Sequence, residues 1–527
     1  MKTRVLLLLL ICSCLAKAQN IEVSGLQSGV WEADTVFVTD NVIVEDALQI
    51  AAGTTVIFNG FYGIHVKKNA SLQAIGTRTD SICFTVTDTT NFHIPNSGRG
   101  GWNGIRLEKS GNCRFDYCRL QYSKAALDDD KDGGALRIYY CNEVQINNST
   151  LFCNFSRQHG GALNAEHSNV TMHDCNVSHN LAFSGDDATY GMYGGGLRFI
   201  NCEVEFLGTS VLHNTGETAI GGGMSIDSCS IRIDRCIFEY NLGINGGGLY
   251  LIRCYDRPCS ITNSLFAHNT SGHFGGGLAI CESSPLVANL TVANNHSIGV
   301  NCGGIFFYQH SSPAVWNCIV YGNTNEAELD TPVQMWSWTY EDDAPEFHNC
   351  LVQFGLENIA SNDRISVYEN CIDADPIFDT PIPIEYYIWY DSPCYNAGSP
   401  DTPIEVMNGQ DLSGTSRVWW GAIDIGAYEL AEYGIHETAK EKPLIRIVGN
   451  PITASSFAEI EMEKASDLTA NIYSLDGKLL VNKPLGHVQK GTNRIEIAEM
   501  FQQLTNGTYL FVVNNAGKTF ATKVVKP

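Results

Sequence analysis

The stretch that decides the fold reads Gly221-Gly222-Gly223-Met224-Ser225-Ile226-Asp227, a glycine triplet that leads directly into an alternating strand. Gly-Gly-Gly or Gly-Gly-Ala triplets recur every 25 to 34 residues, with third positions at Ala135, Ala162, Gly196, Gly223, Gly248 and Gly277. A second pattern keeps the same phase and places Asn three residues after an apolar or aromatic residue, as at Val177/Asn180, Val211/Asn214, Phe238/Asn241, Phe266/Asn269, Val292/Asn295 and Val320/Asn323. A repeat of this length, in a sequence that shows no helical periodicity, predicts stacked coils of short strands.

In the strand after each triplet, alternate residues are apolar, as in Leu197/Phe199, Met224/Ile226 and Leu249/Leu251. Because side chains alternate between the two faces of a strand, these residues are expected to point into the coil and the others outward. Each coil would bury its inward face against its neighbours and pair its backbone with them. The sequence therefore predicts an all-β fold, a right-handed parallel β-helix of the pectin-lyase-like solenoid type with about a dozen coils.

Several motifs resemble known families of bacterial surface proteins. The triplets and Asn turns over about 118–323 resemble the repeats of polymorphic outer-membrane proteins, and Gly101-Trp102-Asn103-Gly104-Ile105 resembles the opening coils of β-helix surface proteins. Between about 371 and 430, Ser392-Pro393-Cys394 and Asp424-Ile425-Gly426 are similar to the choice-of-anchor segment. These resemblances imply a surface β-helix over 19–430 and no particular chemistry, since a shared fold does not transfer activity.

The amino-terminal end indicates export. Residues 1–18 combine a basic start, the apolar run Val5–Leu15 and the small-residue cleavage site Ala16-Lys17-Ala18, which is typical of a secretory signal peptide. A lipobox-like alternative would tether the chain through Cys14. No other segment approaches the length of a transmembrane helix, so no membrane span is expected.

The carboxyl-terminal end indicates the route of export. Residues 431–442 are charged and linker-like, and 443–527 contain alternating strands without glycine triplets. This last segment resembles the type A sorting domain of type IX secretion, on the motif residues Asn450, Pro451, Asp476, Gly477, Gly507, Tyr509 and Lys523. The resemblance implies a small β-sandwich, a Bacteroidota-type cell, the type IX secretion machinery as partner, and secretion across the outer membrane to the cell surface or the medium.

Charge and cysteine content agree with an extracellular protein. The formal net charge of −24 argues against nucleic acid and anionic membranes as partners. Cysteines keep phase with the repeats in two columns, Cys118/Cys175/Cys236/Cys318/Cys350 and Cys141/Cys202/Cys229/Cys254. Stacked buried thiols are the main interpretation, and disulfides the alternative, with Cys113/Cys118 and Cys254/Cys259 as candidate pairs.

Two further columns invite a binding interpretation and have a structural alternative. The asparagines of the turns are expected to form an inward ladder of amides rather than a ligand row. His179, His213 and His268 precede three of them, but Tyr240 interrupts the column and no carboxylate shares its phase. Metal binding by these histidines is therefore the weaker interpretation.

The first candidate site consists of the outward-pointing residues of the strands that follow the triplets. Stacking would bring together the candidate ligand-binding residues Arg137, Tyr139, Asn164, Glu166, Arg198, Asp227 and Tyr250. Arginine binds carboxylate or sulfate with two parallel hydrogen bonds, and tyrosine can lie against a sugar ring. Such a ridge suits an extended polymer, whereas the alternative is an ordinary solvated sheet face.

Two other segments are candidates. In the long insertion Asn325–Glu346, an aromatic platform is predicted at Trp336, Trp338 and Tyr340, with core packing as the alternative. The run Asp128-Asp129-Asp130-Lys131-Asp132-Gly133 suggests a calcium turn through Asp128, Asp130 and Asp132. It is not an EF-hand, because Tyr139 stands where the bidentate Glu should be. Calcium is the one cofactor that the sequence suggests.

Together these features favour an exported, noncatalytic adhesin or glycan-binding protein. A polysaccharide lyase or glycoside hydrolase on the same face is the first alternative, although no catalytic residues can be assigned from a motif. A structural surface spacer without a ligand is the second. The expected partners are the secretion machinery and a polysaccharide or cell-surface glycan.

Overall fold

The computed structural model describes residues 18–92, 94, 97, 99–183, 191–299, 301–326, 332–340, 342–378, 384–418, 422–430, 445–448, 451–462, 465–474, 478–515 and 518–526. Residues 1–17 of the predicted signal peptide 1–18, the predicted linker 431–442 and the motif residues Asn450, Asp476 and Gly477 lie outside this set. The chain forms two compact units that divide after Leu430. The first is a parallel β-solenoid and the second an antiparallel β domain.

Two long strands open the solenoid. Ala18–Trp31 pairs in parallel with Ala33–Ile50. Ala33–Ile50 then pairs with Thr55–Phe58, Ile64–Val66 and Ser71–Ile75, so one strand runs along three sides of the first coil. The later strands repeat these three positions and build three parallel sheets.

The three sheets are named by their place in the repeat. The triplet sheet, which follows the glycines, contains Ile64–Val66, Ile105–Glu108, Leu136–Tyr139, Leu163–Glu166, Leu197–Ile200, Met224–Asp227, Leu249–Ile252, Leu278–Cys281, Ile305–Gln309 and Met335–Thr339. The middle sheet contains Ser71–Ile75, Cys113–Asp116, Val144–Asn147, Asn169–His173, Glu203–Leu207, Ser230–Asp234, Cys259–Thr262, Leu286–Ala288, Ala314–Trp316, Glu346–His348 and Val367–Glu369. The asparagine sheet, which leads into the Asn turns, contains Thr55–Phe58, Ile82–Val86, Cys118–Gln121, Thr150–Phe152, Asn176–Ser178, Ser210–Leu212, Ile237–Glu239, Leu265–Ala267, Thr291–Ala293, Ile319–Tyr321 and Leu351–Val352.

Short strands lie between each Asn turn and the next triplet and form a fourth side. They are Lys124–Ala125, Phe155–Ser156, Leu181–Ala182, Met192–Tyr193, Ala219–Ile220, Leu242–Asn245, Thr270–Phe274, His296–Ser297 and Thr324–Asn325. The helical turns among the described residues of the first unit are Leu356–Asn358 and Asn362–Arg364, both 3-10, and the α-helical turn Ile404–Met407.

The predicted parallel β-helix is confirmed. Leu197, Met224, Leu249 and Leu278 are direct partners in successive strands and are fully buried in one inward column. The triplets allow this stacking because Gly221 has a φ of 80°, and a Cβ at Gly222 would collide with the next coil's backbone.

The Asn column is the predicted ladder of buried amides. Asn241 Nδ2 donates to Asn269 Oδ1 at 2.9 Å and to the Val211 carbonyl oxygen at 2.8 Å. Its own Oδ1 accepts from the backbone and side-chain nitrogens of Asn214, at 3.0 Å each. The ladder also includes Asn154, and Gln334 continues it where a triplet would stand.

Asn241→Leu should destabilise the solenoid, because it removes one step of this ladder and leaves buried polar groups of neighbouring coils unpaired. We expect a loss of ~1–3 kcal/mol for each group left unsatisfied, measured by chemical denaturation. Asn59→Leu, at an exposed position, is the control. Equal stabilities of the two variants would show that the ladder contributes nothing.

The cysteine columns are free thiols mixed with Ser and Thr at the same coil corners. Cys141 N donates to Ser168 Oγ at 2.9 Å, and Cys202 N donates to Cys229 Sγ at 3.2 Å. Each coil corner therefore requires a small hydrogen-bond acceptor for the backbone N–H of the preceding coil. Either a thiol or a hydroxyl can supply it. Burial raises the pKa of Cys175 and Cys236 to about 12, so these thiols are protonated and inert. None of the cysteines in the described residues is in a disulfide.

The histidine column is a stack of rings. His213 lies between His179 and Tyr240, with ring centroids 5.0 and 4.8 Å away, and Tyr240 stacks on His268 at 4.8 Å. These positions have φ between 52° and 58°. Ring stacking between successive coils is thus a structural role that these side chains fill.

The closing segment, which is described over residues 371–378, 384–418 and 422–430, packs on the outer face of the last strands of the asparagine sheet. Ile388 and Ile425 share a cluster with Ile319 and Leu351 of that sheet. Asn317 Nδ2 also donates to Thr402 Oγ1 at 2.7 Å. This cover explains why outward residues of these strands are apolar.

A buried arginine fixes the closing segment. Arg417 is fully buried and bonds Asn263 Oδ1 of the solenoid at 2.8 Å, the carbonyl oxygens of Gly426 and Ala427 at 2.8 Å, and Glu429 at 3.3 Å. Burial and the neighbouring Asp424 charge raise the pKa of Glu429 to about 9, and burial raises the pKa of Asp424 to about 6.

The second unit has two antiparallel sheets that share one core. One sheet contains Ile445–Val448, Phe457–Met462 and Gly491–Glu496, and the other Leu479–Val488, Ser466–Ser474, Gly507–Asn515 and Lys518–Lys526, with a 3-10 turn at Ala498–Phe501. Of the predicted motif residues, Gly507 begins a strand, and Tyr509 donates from its hydroxyl to the Thr505 carbonyl oxygen at 2.6 Å. Pro451 is exposed, and Lys523 lies in the last strand opposite Leu510.

Candidate ligand-binding face

The outer face of the triplet sheet carries two continuous columns of side chains. Direct strand partners place the first column in the order Arg106, Arg137, Asn164, Arg198, Ser225, Tyr250, Ala279, Phe306, Trp336. The second column is Glu108, Tyr139, Glu166, Ile200, Asp227, Ile252, Cys281, Tyr308, Trp338. The composition changes along the columns from charged to aromatic, so the face has a polar end and an aromatic end.

The two main predicted sites are therefore parts of one surface. The interpretation of Asn325–Glu346 as an insertion is wrong for Met335–Thr339, which is a regular strand of the triplet sheet paired with Ile305–Gln309. Trp336 and Trp338 continue the same columns as Arg137 and Tyr139. At ~4.8 Å per coil, the face from Arg106 to Trp336 is ~38 Å long.

At the polar end lies a pocket of about 470 Å³ whose lining includes His65, Glu108, Arg137 and Tyr139. Two arginines share one carboxylate there. Asp130 Oδ2 accepts from Arg106 Nε at 2.7 Å, and Asp130 Oδ1 lies 3.5 Å from Arg137 Nη1. Burial and the Arg106 charge lower the pKa of His65, so that this ring is neutral at pH 7.

The carboxylates of the acidic run at 128–132 form ion pairs and hydrogen bonds within the protein. Asp130 is held by the two arginines, Asp128 pairs with Arg157 at 2.9 Å, and Asp132 Oδ1 accepts from the His159 backbone at 3.2 Å. Burial raises the pKa of Asp132. Across the described residues, no three His, Cys, Asp or Glu side chains converge to hold a metal ion. These carboxylates neutralise neighbouring cations or accept hydrogen bonds from the backbone, and calcium binding by Asp128, Asp130 and Asp132 stays a prediction.

The middle of the face is also charge-paired. Arg198 Nη1 donates to Glu166 Oε1 and Asn164 Oδ1, both at 3.0 Å. Asp227 accepts from Arg253 Nε at 2.9 Å. Asn164, Asp227 and Tyr250 are 9% exposed or less. The predicted ridge is thus correct in register but open to solvent only in part.

The aromatic end contains a cleft of about 240 Å³. Its lining is Asn245, Tyr250, Phe274, Cys281, Phe306, Tyr308 and Trp338. Phe274 stacks on Phe306 with centroids 4.5 Å apart, and the Tyr308 ring lies edge-on to Trp338 at 5.9 Å. Trp338 is 56% exposed, which is unusual for so large an apolar side chain.

The predicted aromatic platform is divided between three environments. Trp338 lines the cleft, whereas Trp336 is half-buried and stacks beside it at 6.4 Å. Tyr340 lies against His310, whose Nδ1 is 2.6 Å from Asp343 Oδ2. None of these three rings belongs to the inward core, so the alternative of core packing does not apply.

Sequence reasoning missed part of the cleft. Phe306 and Tyr308 are the outward residues of the degenerate repeat at Ile305, and their parity was available as a signal. Asn245 and Phe274 each precede a triplet directly and are strand partners on the fourth side. Because these two residues lie before the triplet and outside the alternating strand, the alternation of inward and outward residues did not predict that they line the cleft.

Residues 450–527 match the family described as the secretion system C-terminal sorting domain. No curated protein matches the chain. The sorting domain identifies the chain as a type IX secretion substrate, exported to the cell surface or extracellular space and handled by that machinery. The sorting domain lies in the second unit, and the β-solenoid of the first unit is the part of the chain that it directs to that destination.

No helix among the described residues is long and apolar enough to cross a bilayer.

Proposed function

We propose that this exported solenoid is a noncatalytic glycan-binding protein that holds an extended polysaccharide along the outer face of the triplet sheet. The observation that carries the proposal is the continuity of the two outward columns, which join the polar pocket near Arg137 to the aromatic cleft at Trp338. A linear surface of ~38 Å matches a linear ligand better than a compact one.

The chemistry of the face supports this proposal. Sugar rings present C–H groups that pack on aromatic rings and hydroxyls that hydrogen-bond to carboxylates, amides and arginines. Rigid sheet positions hold these groups in fixed register along the solenoid. Binding would therefore require little ordering of the protein.

Trp338→Ala should weaken polysaccharide binding, because it removes the exposed ring of the cleft. Taking base–aromatic stacking as a guide, we expect a loss of ~1–3 kcal/mol in binding free energy. Affinity electrophoresis of the full chain against immobilised polysaccharides measures it. The thermal unfolding midpoint should change little, because Trp338 lies outside the inward core.

Tyr255→Ala is the matched control, since Tyr255 is 58% exposed and lines neither pocket. Equal affinities of the parent, Trp338→Ala and Tyr255→Ala proteins would contradict a role for the cleft. Release of reducing ends or unsaturated uronates from a bound polymer would favour the polysaccharide-degrading alternative. If the chain bound no glycan, a structural surface spacer would be the remaining alternative.

A further inference from the structure

We propose that the polysaccharide bound by this face is uncharged, and that a sugar ring of it occupies the aromatic cleft against Trp338. This inference rests on the glycan-binding function proposed above and adds the class of ligand. The sequence alone suggested the opposite, since arginines on the face would favour an acidic polymer.

At the polar end, the cations are already neutralised by the protein. Arg106 and Arg137 share Asp130, and Arg106 Nη1 also donates to the Gly133 carbonyl oxygen at 2.9 Å. Glu108 and Asp129 line the same pocket and add negative charge. A uronate or sulfate group here would meet more carboxylates than arginines, so its approach is disfavoured.

The same neutralisation continues along the face. Arg198 is bound to Glu166 at 3.0 Å, and Arg253 is bound to Asp227. A carboxylate held by an arginine in this way competes directly with a carboxylate of the ligand. Each arginine described on the outward columns thus has a protein carboxylate as its partner.

The aromatic end has the opposite character and fits an uncharged ring. No Lys or Arg is among the described residues that line the cleft. Trp338 and Tyr308 provide faces and edges against which sugar C–H groups pack. Asn245 Oδ1 is a buried acceptor with no hydrogen-bond partner among the described groups. A sugar hydroxyl that enters the cleft can donate to this amide after a small rotation, which would remove the cost of an unpaired acceptor.

Matched polymers test the inference in the full chain. The probes are alginate and polygalacturonate, each before and after chemical reduction of its carboxyl groups, together with a neutral β-glucan and a neutral mannan. We expect at least one neutral polymer to retain the protein, and this retention should change little between ~50 and ~500 mM NaCl. The unreduced polyuronates should not retain it. Trp338→Ala should reduce the neutral retention about fivefold or more.

Glu166→Gln provides a gain-of-function arm, because it frees Arg198 from its ionic partner. This variant should acquire salt-sensitive retention by polygalacturonate that the parent lacks. Retention of the parent by unreduced polyuronates in preference to neutral polymers would overturn the inference and leave the glycan-binding function in place. Retention by no polymer at all would instead overturn the glycan-binding function itself.

Discussion

Deletion of Leu444–Pro527 should abolish delivery of the chain to the cell surface while leaving the solenoid folded. The deleted segment contains the whole region that matches the sorting domain, and it belongs to the second compact unit. The closed core of the solenoid is built from residues of the first unit alone. We therefore expect the truncated chain to accumulate in the periplasm with an unchanged far-ultraviolet circular dichroism spectrum for its β-helix.

Protease treatment of intact cells, followed by blotting for the solenoid, measures this effect. The Trp338→Ala chain is the control, because its substitution lies on the solenoid face and should leave export intact. If the truncated and full-length chains were equally accessible to protease at the surface, the assignment of the export route would be wrong.

Arg417→Met should cause the largest loss of stability among single substitutions outside the inward core. Arg417 and Glu429 are both buried, and removing the guanidinium leaves the buried Glu429 carboxyl without its donor, at a cost of ~1–3 kcal/mol. The bonds from Arg417 to Asn263, Gly426 and Ala427 would be lost as well. We expect the closing segment to become sensitive to limited proteolysis at temperatures where the parent resists it.

Two comparisons separate this effect from a general loss of charge. Arg232→Met removes an exposed ion pair with Glu205, 3.1 Å long, and should cost only ~0–1 kcal/mol. The double variant Arg417→Met/Glu429→Met should recover part of the lost stability, because the buried carboxyl that Arg417 satisfied is then absent as well. If Arg417→Met were as stable as Arg232→Met, the closing segment would not depend on this contact.

The sequence predicted the parts of the fold that depend on a short repeat. Inward residues such as Met224, ladder residues such as Asn241 and the thiol columns all recur at one phase, and each meets its counterpart in the next coil. Strand periodicity and coil spacing fix those contacts locally. The register of the charged ridge followed from the same rule.

The features that escaped prediction depend on contacts between distant segments. Arg106 stands upstream of the first triplet, and its contact with Asp130 has no counterpart in the repeat pattern. No glycine triplet precedes Met335–Thr339, and Gln334 continues the amide ladder there instead. Because the triplets marked the strands of this face in the sequence, this strand could not be assigned to the face. Arg417 and Asn263 are 154 residues apart in the sequence, and no repeated motif predicts their contact.

The measurement that tests the central proposal most directly is oxidative footprinting of the full chain, with and without a bound polysaccharide. If the polymer lies along the outer face of the triplet sheet, Tyr139, Tyr308 and Trp338 should become protected together. Trp316, which lies on the middle sheet, should be labelled equally in both states. Protection of Trp316 with unchanged labelling of Tyr139, Tyr308 and Trp338 would place the ligand elsewhere and contradict the proposal.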